Sequence, residues 1–215
     1  MMTMMLGVLR QDELITAARE EATTDALTMV GAGRDERALS PPGLAVRKRL
    51  PWLQINLVTA FLAASVVGLF ESTIAKYTAL AVLLPVVAGQ SGNTGAQALA
   101  VTMRGLALRE IRIRQWPRVI FKEASTAFWN GLAVALTTAL GVWIWSASTG
   151  LAGVIGVSMI LSMVIAGISG AAIPLLLTAA RQDPAQSSSI VLTTVTDVAG
   201  FLSFLGIASL FSDFL

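Results

Sequence analysis

The sequence predicts an all-α membrane protein with five transmembrane helices per subunit. Of its 215 residues, 55% are hydrophobic and only 13% are charged, which is too apolar a composition for one soluble domain. Apolar runs recur along the chain, and several reach the roughly 20 residues that a bilayer crossing needs. We therefore expect a polytopic protein embedded in a lipid bilayer.

The composition also excludes several kinds of site. The chain contains no Cys and no His, so it offers no thiolate or imidazole metal ligand and no Cys or Ser-His nucleophile. Any metal ion must be held by oxygen atoms. The net charge is only +2, and the basic residues lie in loops, which indicates topology signals rather than nucleic-acid binding. We predict neither an enzyme nor a nucleic-acid partner.

The first 50 residues form two predicted segments. Residues 11–30 place charged and apolar side chains at helical spacing, which is typical of an amphipathic helix, and we assign residues 1–33 to this cytosolic part. Residues 34–50 form a predicted linker and connecting helix whose basic residues, Arg47, Lys48 and Arg49, lie at the membrane surface. Residues 51–215 form the predicted membrane domain.

Five spans follow in order. The first covers residues 51–70, because Pro51 suits the start of a helix. The second apolar run, residues 74–103, is too long for one straight crossing, and Pro85 and the glycines within residues 89–95 predict a break in the helix there. Interrupted backbone at bilayer depth is tolerated only in a protein or water-filled cavity. Gly89 and Gly92 are therefore candidate pore-lining residues.

The last three spans cover residues 119–146, 153–180 and 190–211. Orientation follows from the basic residues, because cytosolic loops carry an excess of Lys and Arg. One side of the predicted topology holds Arg181, the cluster at 47–49 and all basic residues between spans two and three, whereas the other side has only Lys76. We expect a cytoplasmic N-terminus, an outside C-terminus and a cell membrane location, the bacterial inner membrane.

Asp197 is the acid placed deepest in a predicted span. A carboxylate at the centre of a membrane helix costs about 2.5 to 3.5 kcal/mol unless water or a cation meets it. Thr193 and Ser189 lie one and two turns earlier, so oxygen atoms line the same helix face from the cytosolic end. This pattern favours a cation path. An acid that serves helix packing, or one that is protonated against a neighbouring hydroxyl, remains an alternative.

Asn93 and Gln97 are four residues apart and share a helix face if the helix continues there. Their amide oxygens suit a hydrated cation, although hydrogen bonding between helices is an alternative. Two other acids, Glu71 and Glu123, lie near span ends, where we expect solvent to surround them. Asp183 precedes a proline and is expected to favour or cap the start of the fifth span.

Hard oxygen ligands with few charges suit Mg²⁺, which usually keeps several of its waters. We accordingly predict metal contacts at Asp197 and Asn93, with Gln97, Ser189 and Thr193 lining the path. One acid per chain is few for this purpose. A twofold homodimer would bring two copies of Asp197 to one axis, so the pore is expected at or near the subunit interface.

The motifs resemble the membrane domain of the MgtE family of Mg²⁺ channels from about residue 50 onward. The residues that carry this resemblance are Pro85, the run Gly89-Gln90-Ser91-Gly92-Asn93-Thr94-Gly95-Ala96-Gln97, Arg104-Gly105-Leu106-Ala107, Asp183-Pro184-Ala185, and Thr193 to Asp197 with Gly200. The resemblance implies a homodimeric Mg²⁺-selective channel in which Asp197 holds hydrated Mg²⁺ and the Asn93 segment lines the same pore.

The N-terminal residues 12–30 are similar to the last helix of the paired CBS domains of that family, and residues 34–50 are similar to its connecting plug helix. Most of the family's cytosolic Mg²⁺ sensor has no counterpart in this sequence. Three alternatives stay open: a channel that is open by default, a truncated chain, or a chain completed by another polypeptide, in which case a separate sensor protein is the partner. The expected function is Mg²⁺ entry into the cytoplasm down the electrochemical gradient. Two alternatives remain: a less selective or proton-coupled transporter, and a non-conducting membrane subunit.

Overall fold

A computed structural model describes residue 24 and residues 27–33 and 36–214, without the side chains of residues 186 and 187. All regular structure in these ranges is helical, which confirms the all-α prediction. The amphipathic helix predicted for residues 11–30 lies largely outside the described residues.

Six α-helices with described bounds follow one another from residue 42 onward. They are α1 (Pro42–Gly68), α2 (Glu71–Lys76), α3 (Ala79–Ala107), α4 (Trp116–Ser146), α5 (Thr149–Ala179) and α6 (Pro184–Leu210). Short 3-10 segments at Ile113–Gln115 and Ser212–Phe214 complete the regular structure. The chain consists of two compact units, residues 1–53 and 54–215, and the boundary between them lies within α1.

Four helical segments are long and apolar enough to cross a membrane. They are Pro42–Gly68, Ile113–Ser146, Thr149–Ala179 and Ser188–Leu210. The four correspond to the first, third, fourth and fifth predicted spans. The remaining span falls on α3, whose length of 29 residues is sufficient but whose polar residues reduce its hydropathy.

The start of the first span differs from the prediction. The helix begins at Pro42 and continues through Pro51, which we expected to be its first residue. A proline inside a helix removes one backbone hydrogen bond and typically costs about 3 kcal/mol. The preceding stretch, residues 44–50, consists mostly of Leu, Ala, Arg and Lys, which are strong helix formers, so the helix extends on both sides of the proline.

The break predicted in the second span is wrong. Pro85 and the glycines of residues 89–95 all lie within one continuous helix, α3. Glycine in a helix costs about 1 kcal/mol relative to alanine, but Gly95 packs tightly against two other helices, and this contact favours the helical backbone. The path for a polar ion therefore cannot consist of unwound backbone here.

α5 lies at the centre of the membrane unit and packs against α3, α4 and α6. Its small residues permit close approach: a Cβ on Gly167 would lie 2.6 Å from the Ala127 Cβ of α4. A hydrophobic core fills one end of this bundle, around the fully buried Leu80, Ile155 and Phe204. The other end, near the last turns of α3, is more polar.

The junction between α5 and α6 agrees with the sequence. Asp183 is the N-cap of α6, and its Oδ1 accepts a 2.9 Å hydrogen bond from the Ala185 N–H, with Pro184 at the first helical position. The predicted helix start is confirmed.

Candidate metal-binding face

Three helices meet closely where the glycines of α3 and α5 face each other. A Cβ on Gly95 would lie 3.0 Å from Leu192 Cδ1 and 3.1 Å from Thr196 Cγ2, both on α6. A Cβ on Gly200 would lie 3.3 Å from Ser91 Oγ on α3. Because the chain numbers rise along α3 as they fall along α6, the two helices run antiparallel here.

This antiparallel pairing determines the level of each predicted site residue, that is, its position along the axis of the packed helices. Asn93 lies midway between Ser91 and Gly95, so it stands at about the level of Asp197 on the neighbouring helix. By the same count Gln97 stands near the level of Thr193. The amide residues of α3 and the oxygen residues of α6 therefore occupy the same depth within one chain.

α3 turns its amides away from the packed side of the helix. Ser91, Gly95 and Thr102 are buried, whereas Gly89, Asn93 and Gln97 are exposed and Gly92 is partly exposed. A Cβ on Gly89 or Gly92 would meet no other atom within 4 Å. α3 thus presents an open face with two carboxamides and two glycines.

Asp197 is partly buried on α6. Within the described part of the chain it takes part in no hydrogen bond or ion pair, which makes it an acid without a protein counter-charge in one subunit. The alternative of a carboxylate tied to helix packing therefore has no contact to support it among the described residues. A cation or water is the natural partner for such a group.

The hydroxyl groups of α6 are oriented toward their own helix. Thr193 Oγ1 donates to the Ser189 carbonyl at 2.9 Å, and Thr196 Oγ1 donates to the Thr193 carbonyl at 3.0 Å. A threonine hydroxyl that uses its proton in this way keeps its lone pairs as acceptors. Thr193 is exposed and Ser189 partly buried, so Thr193 offers an outward oxygen one turn from Asp197.

This donor set suits an ion that keeps its water. Among the described residues no group of three or more Asp, Glu, His or Cys side chains could enclose a metal. Isolated acid and amide side chains can instead bind an ion through the water molecules that it keeps, as is usual for Mg²⁺.

One expectation about the acids is wrong. Glu123 is only 6% exposed, although its place near a span end predicted a solvated group. The cause is the close packing of α5, because a Cβ on Gly167 would lie 3.2 Å from the Glu123 carbonyl oxygen. Glu71 is exposed as expected.

Comparison with known proteins decides the family. A family model described as "Divalent cation transporter", MgtE, matches residues 84–207. This chain belongs to the MgtE family. The matched range contains both Asn93 and Asp197.

Three relatives carry the name magnesium transporter MgtE, and they come from Bacillus subtilis, Enterococcus faecalis and Thermus thermophilus. Each is 32% identical to this MgtE-family chain. The match covers 96% of this chain and 46% of the relative. The chain therefore spans about half the length of these relatives. Their names describe transport rather than catalysis.

Proposed function

We propose that the chain forms a Mg²⁺ channel that carries hydrated Mg²⁺ into the cytoplasm down the electrochemical gradient. The observation that carries this proposal is that Asn93, on the exposed face of α3, lies at the same depth along the helices as the unpaired Asp197 of α6. The membership of the chain in the MgtE family adds to it. Its named relatives are magnesium transporters, which supports Mg²⁺ as the ion.

α3 is the fifth crossing in this proposal. Its 29 residues extend about 44 Å at about 1.5 Å per residue, more than the hydrocarbon thickness of about 30 Å. Its neighbours α5 and α6 are apolar spans and pack along it. A helix with exposed amides beside apolar spans is best explained as the wall of a water-filled path.

A homodimer completes the pore. Two carboxylates from a twofold pair of Asp197 residues attract a divalent ion and repel each other in its absence. Residues 54–68 of α1 expose apolar surface that must be buried against something else. Ala63 is the buried residue of this segment, whereas Leu57, Val58 and Phe61 are each about half exposed or more. Lipid and a second copy would share this surface.

The proposed ligands act at different depths. Asp197 and Asn93 contact the hydration shell of the ion at one level, with Gly89 and Gly92 leaving open space beside them. Between this level and the end of the bundle where α3 ends and α6 begins, the path is lined by Gln97, Thr193 and Ser189. A membrane potential contributes about 4.6 kcal/mol per 100 mV to a divalent ion, twice the value for one charge, so no energy-coupling domain is required.

The orientation follows from the basic residues. Arg104, Arg112 and Arg118 are exposed at the end of the bundle where α3 ends and α4 begins. By the positive-inside rule, we propose that this end and the N-terminus face the cytoplasm and that the C-terminus lies outside. The relatives are bacterial, which supports a location in a bacterial cell membrane, the inner membrane where a cell has two. The additional length of these relatives is consistent with a role for a cytosolic sensor, in the same or another polypeptide.

The proposal is tested by Mg²⁺ uptake into proteoliposomes that contain residues 1–215, with an inside-negative potential. The expected result is potential-driven uptake that is lost in Asp197→Asn and kept in Glu71→Gln, an exposed acid outside the site. Uptake that depends on a pH gradient instead of the potential would indicate the proton-coupled alternative. No uptake by the parent chain, in a preparation shown to be folded and dimeric, would contradict autonomous conduction and favour the non-conducting subunit.

A further inference from the structure

An apolar groove runs between the first turns of α4 and the last turns of α5. Its volume is about 410 Å³, which falls within the range of about 300 to 1,000 Å³ that is typical of small-molecule sites. The residues that line it are all apolar, and they include Ile113, Trp116 and Ile120 on one side and Ala172, Leu176 and Ala179 on the other.

The groove is open on the outer surface of the bundle. Trp116 is 54% exposed and Leu176 is 67% exposed, and both belong to segments that are apolar enough to span a membrane. Trp116 is the first residue of α4, and tryptophan is enriched at the level of the lipid headgroups. The open side of the groove therefore meets acyl chains, and its Trp116 end meets headgroups.

Basic residues surround the headgroup end of the groove. Arg112 and Arg114 flank the groove residue Ile113, and Arg181 follows two residues after Ala179. The 3-10 segment that carries Arg114 contacts α5, so the two chain segments meet here. All three arginines are exposed, and within the described part of the chain none of them forms an ion pair.

The nearest acids along the chain have other partners. The Glu110 carboxylate lies 4.0 Å from the guanidinium group of Arg104, and Asp183 Oδ1 accepts a hydrogen bond from the Ala185 N–H. The surface at this end of the groove is therefore positive. Such a surface repels a cation and attracts an anionic group, while the apolar walls favour a hydrocarbon chain.

Arg181 occupies a backbone position that favours glycine. Its φ is 58°, its N–H donates to the Thr178 carbonyl at 3.1 Å, and the Gln182 N–H donates to the Leu177 carbonyl at 2.9 Å. These bonds end α5 in the turn where glycine is usual, and a side chain there costs conformational energy. An arginine at this position indicates a use for its side chain.

We propose that this groove binds an anionic phospholipid, with an acyl chain along the apolar walls and the phosphate group held by Arg114 and Arg181. Arginine forms paired hydrogen bonds with phosphate oxygens, and basic pockets between membrane helices bind anionic headgroups. Arg112 adds attraction at the same end. The lipid connects the start of α4 with the end of α5, and its binding is independent of ion conduction.

The test measures the thermal stability of residues 1–215 in a non-ionic detergent with EDTA, which removes divalent cations. The protein is titrated with dioctanoyl phosphatidylglycerol or with phosphatidylcholine of the same chain length. We expect saturable stabilisation by both, with an apparent affinity about tenfold or more higher for phosphatidylglycerol, because the arginines attract its headgroup. Inorganic phosphate should not stabilise the protein, because it has no acyl chain to fill the groove.

A variant that combines Arg114→Gln with Arg181→Gly should lower the phosphatidylglycerol affinity about tenfold or more, to the level of phosphatidylcholine. Glycine suits the turn, so the melting temperature without lipid should not fall. Arg118→Gln is the matched control. Arg118 is exposed in the first turn of α4 but lies midway between Trp116 and Ile120, on the side of the helix away from the groove. Its loss should leave the affinity unchanged.

Two further variants test the apolar part of the site. Ala179→Phe places a ring in the groove and should weaken the binding of both lipids. Phosphatidylglycerol with brominated acyl chains should quench the tryptophan fluorescence of the parent chain, and Trp116→Phe should remove most of this quenching. Trp143→Phe, near the opposite end of α4, should retain it.

Several outcomes would overturn the proposal. Equal affinity for the two phospholipids, or an equal loss in Arg118→Gln and in the double variant, would show that no specific headgroup site exists. Stabilisation by inorganic phosphate as strong as that by phosphatidylglycerol would indicate a site for a free anion. If Ala179→Phe converts a dimer to monomers, the groove holds a second copy instead. Should Ala179→Phe not fold, the quenching decides, because unchanged quenching in Trp116→Phe contradicts the site.

Discussion

Gly170 of α5 lies directly against the backbone of Gly95 on α3, so that a Cβ on Gly170 would overlap the Gly95 carbonyl oxygen. The same Cβ would lie 2.8 Å from the Ala98 Cβ and 3.0 Å from the Leu99 N. This glycine contact sets the position of α3 beside α5, and with it the level of Asn93 relative to Asp197.

Gly170→Ala should therefore destabilise the membrane unit. Overpacking of a tight contact costs about 1 to 3 kcal/mol, and the neighbouring atoms are backbone atoms and the short Ala98 Cβ, which cannot move aside as the end of a flexible side chain can. Thermal unfolding in detergent, followed by circular dichroism, measures the change. The matched control is Gly153→Ala on the same helix, where a Cβ meets nothing within 4 Å and where alanine should be neutral or slightly stabilising. Equal melting temperatures for the two variants would contradict the role of the contact.

The cap at the start of α6 yields a second prediction. Asp183→Ala removes the acceptor for the Ala185 N–H and should lower the free energy of unfolding by about 1 kcal/mol. Asp183→Ser keeps an oxygen at the cap and should recover most of this loss. Denaturant titration of both variants tests the idea, which fails if serine is as destabilising as alanine.

The N-terminal unit contains a pH-sensitive ion pair. Arg49 donates two hydrogen bonds to the Glu36 carboxylate, and the pair lowers the pKa of Glu36 below its ordinary value of 4.5. Because the folded pKa is depressed, the stabilisation is present above that ordinary value and is lost as the pH falls through the folded pKa. The ion pair should therefore be intact at neutral pH.

A spin label at Leu39→Cys, a position that is 98% exposed, reports this loss. We expect its mobility to increase as the pH falls below about 4.5, and to be already high at neutral pH in Glu36→Gln. The chain has no other Cys, so the label is specific. Equal mobility in the parent and Glu36→Gln at neutral pH would show that the pair does not hold this segment.

Much of the helical bundle could be predicted because the sequence signals for its helices lie next to the residues they affect. The apolar runs that became α4, α5 and α6 are bounded by residues such as Asp183 and Pro184, which act on the backbone next to them. The candidate residues Asn93, Gln97 and Asp197 were found the same way, since each is polar in an apolar stretch. Their roles remain predictions.

The errors came from contacts between distant segments. Glycine propensity predicted a break in α3, but Gly95 is held against α5 and α6 by residues far away in sequence. Glu123 was expected in solvent, but the absence of a side chain at Gly167 lets α5 approach and cover it.

The claim that Asn93, Gln97 and Asp197 line an aqueous path is tested most directly by cysteine accessibility, which the absence of native Cys permits. Gln97→Cys is compared in proteoliposomes with Leu136→Cys, a position on α4 that is 65% exposed and should face lipid. We predict that a water-soluble charged thiol reagent modifies Gln97→Cys and blocks Mg²⁺ uptake, that high Mg²⁺ slows this modification, and that Leu136→Cys does not react. An unreactive Gln97→Cys in a chain that still conducts Mg²⁺ would contradict the account.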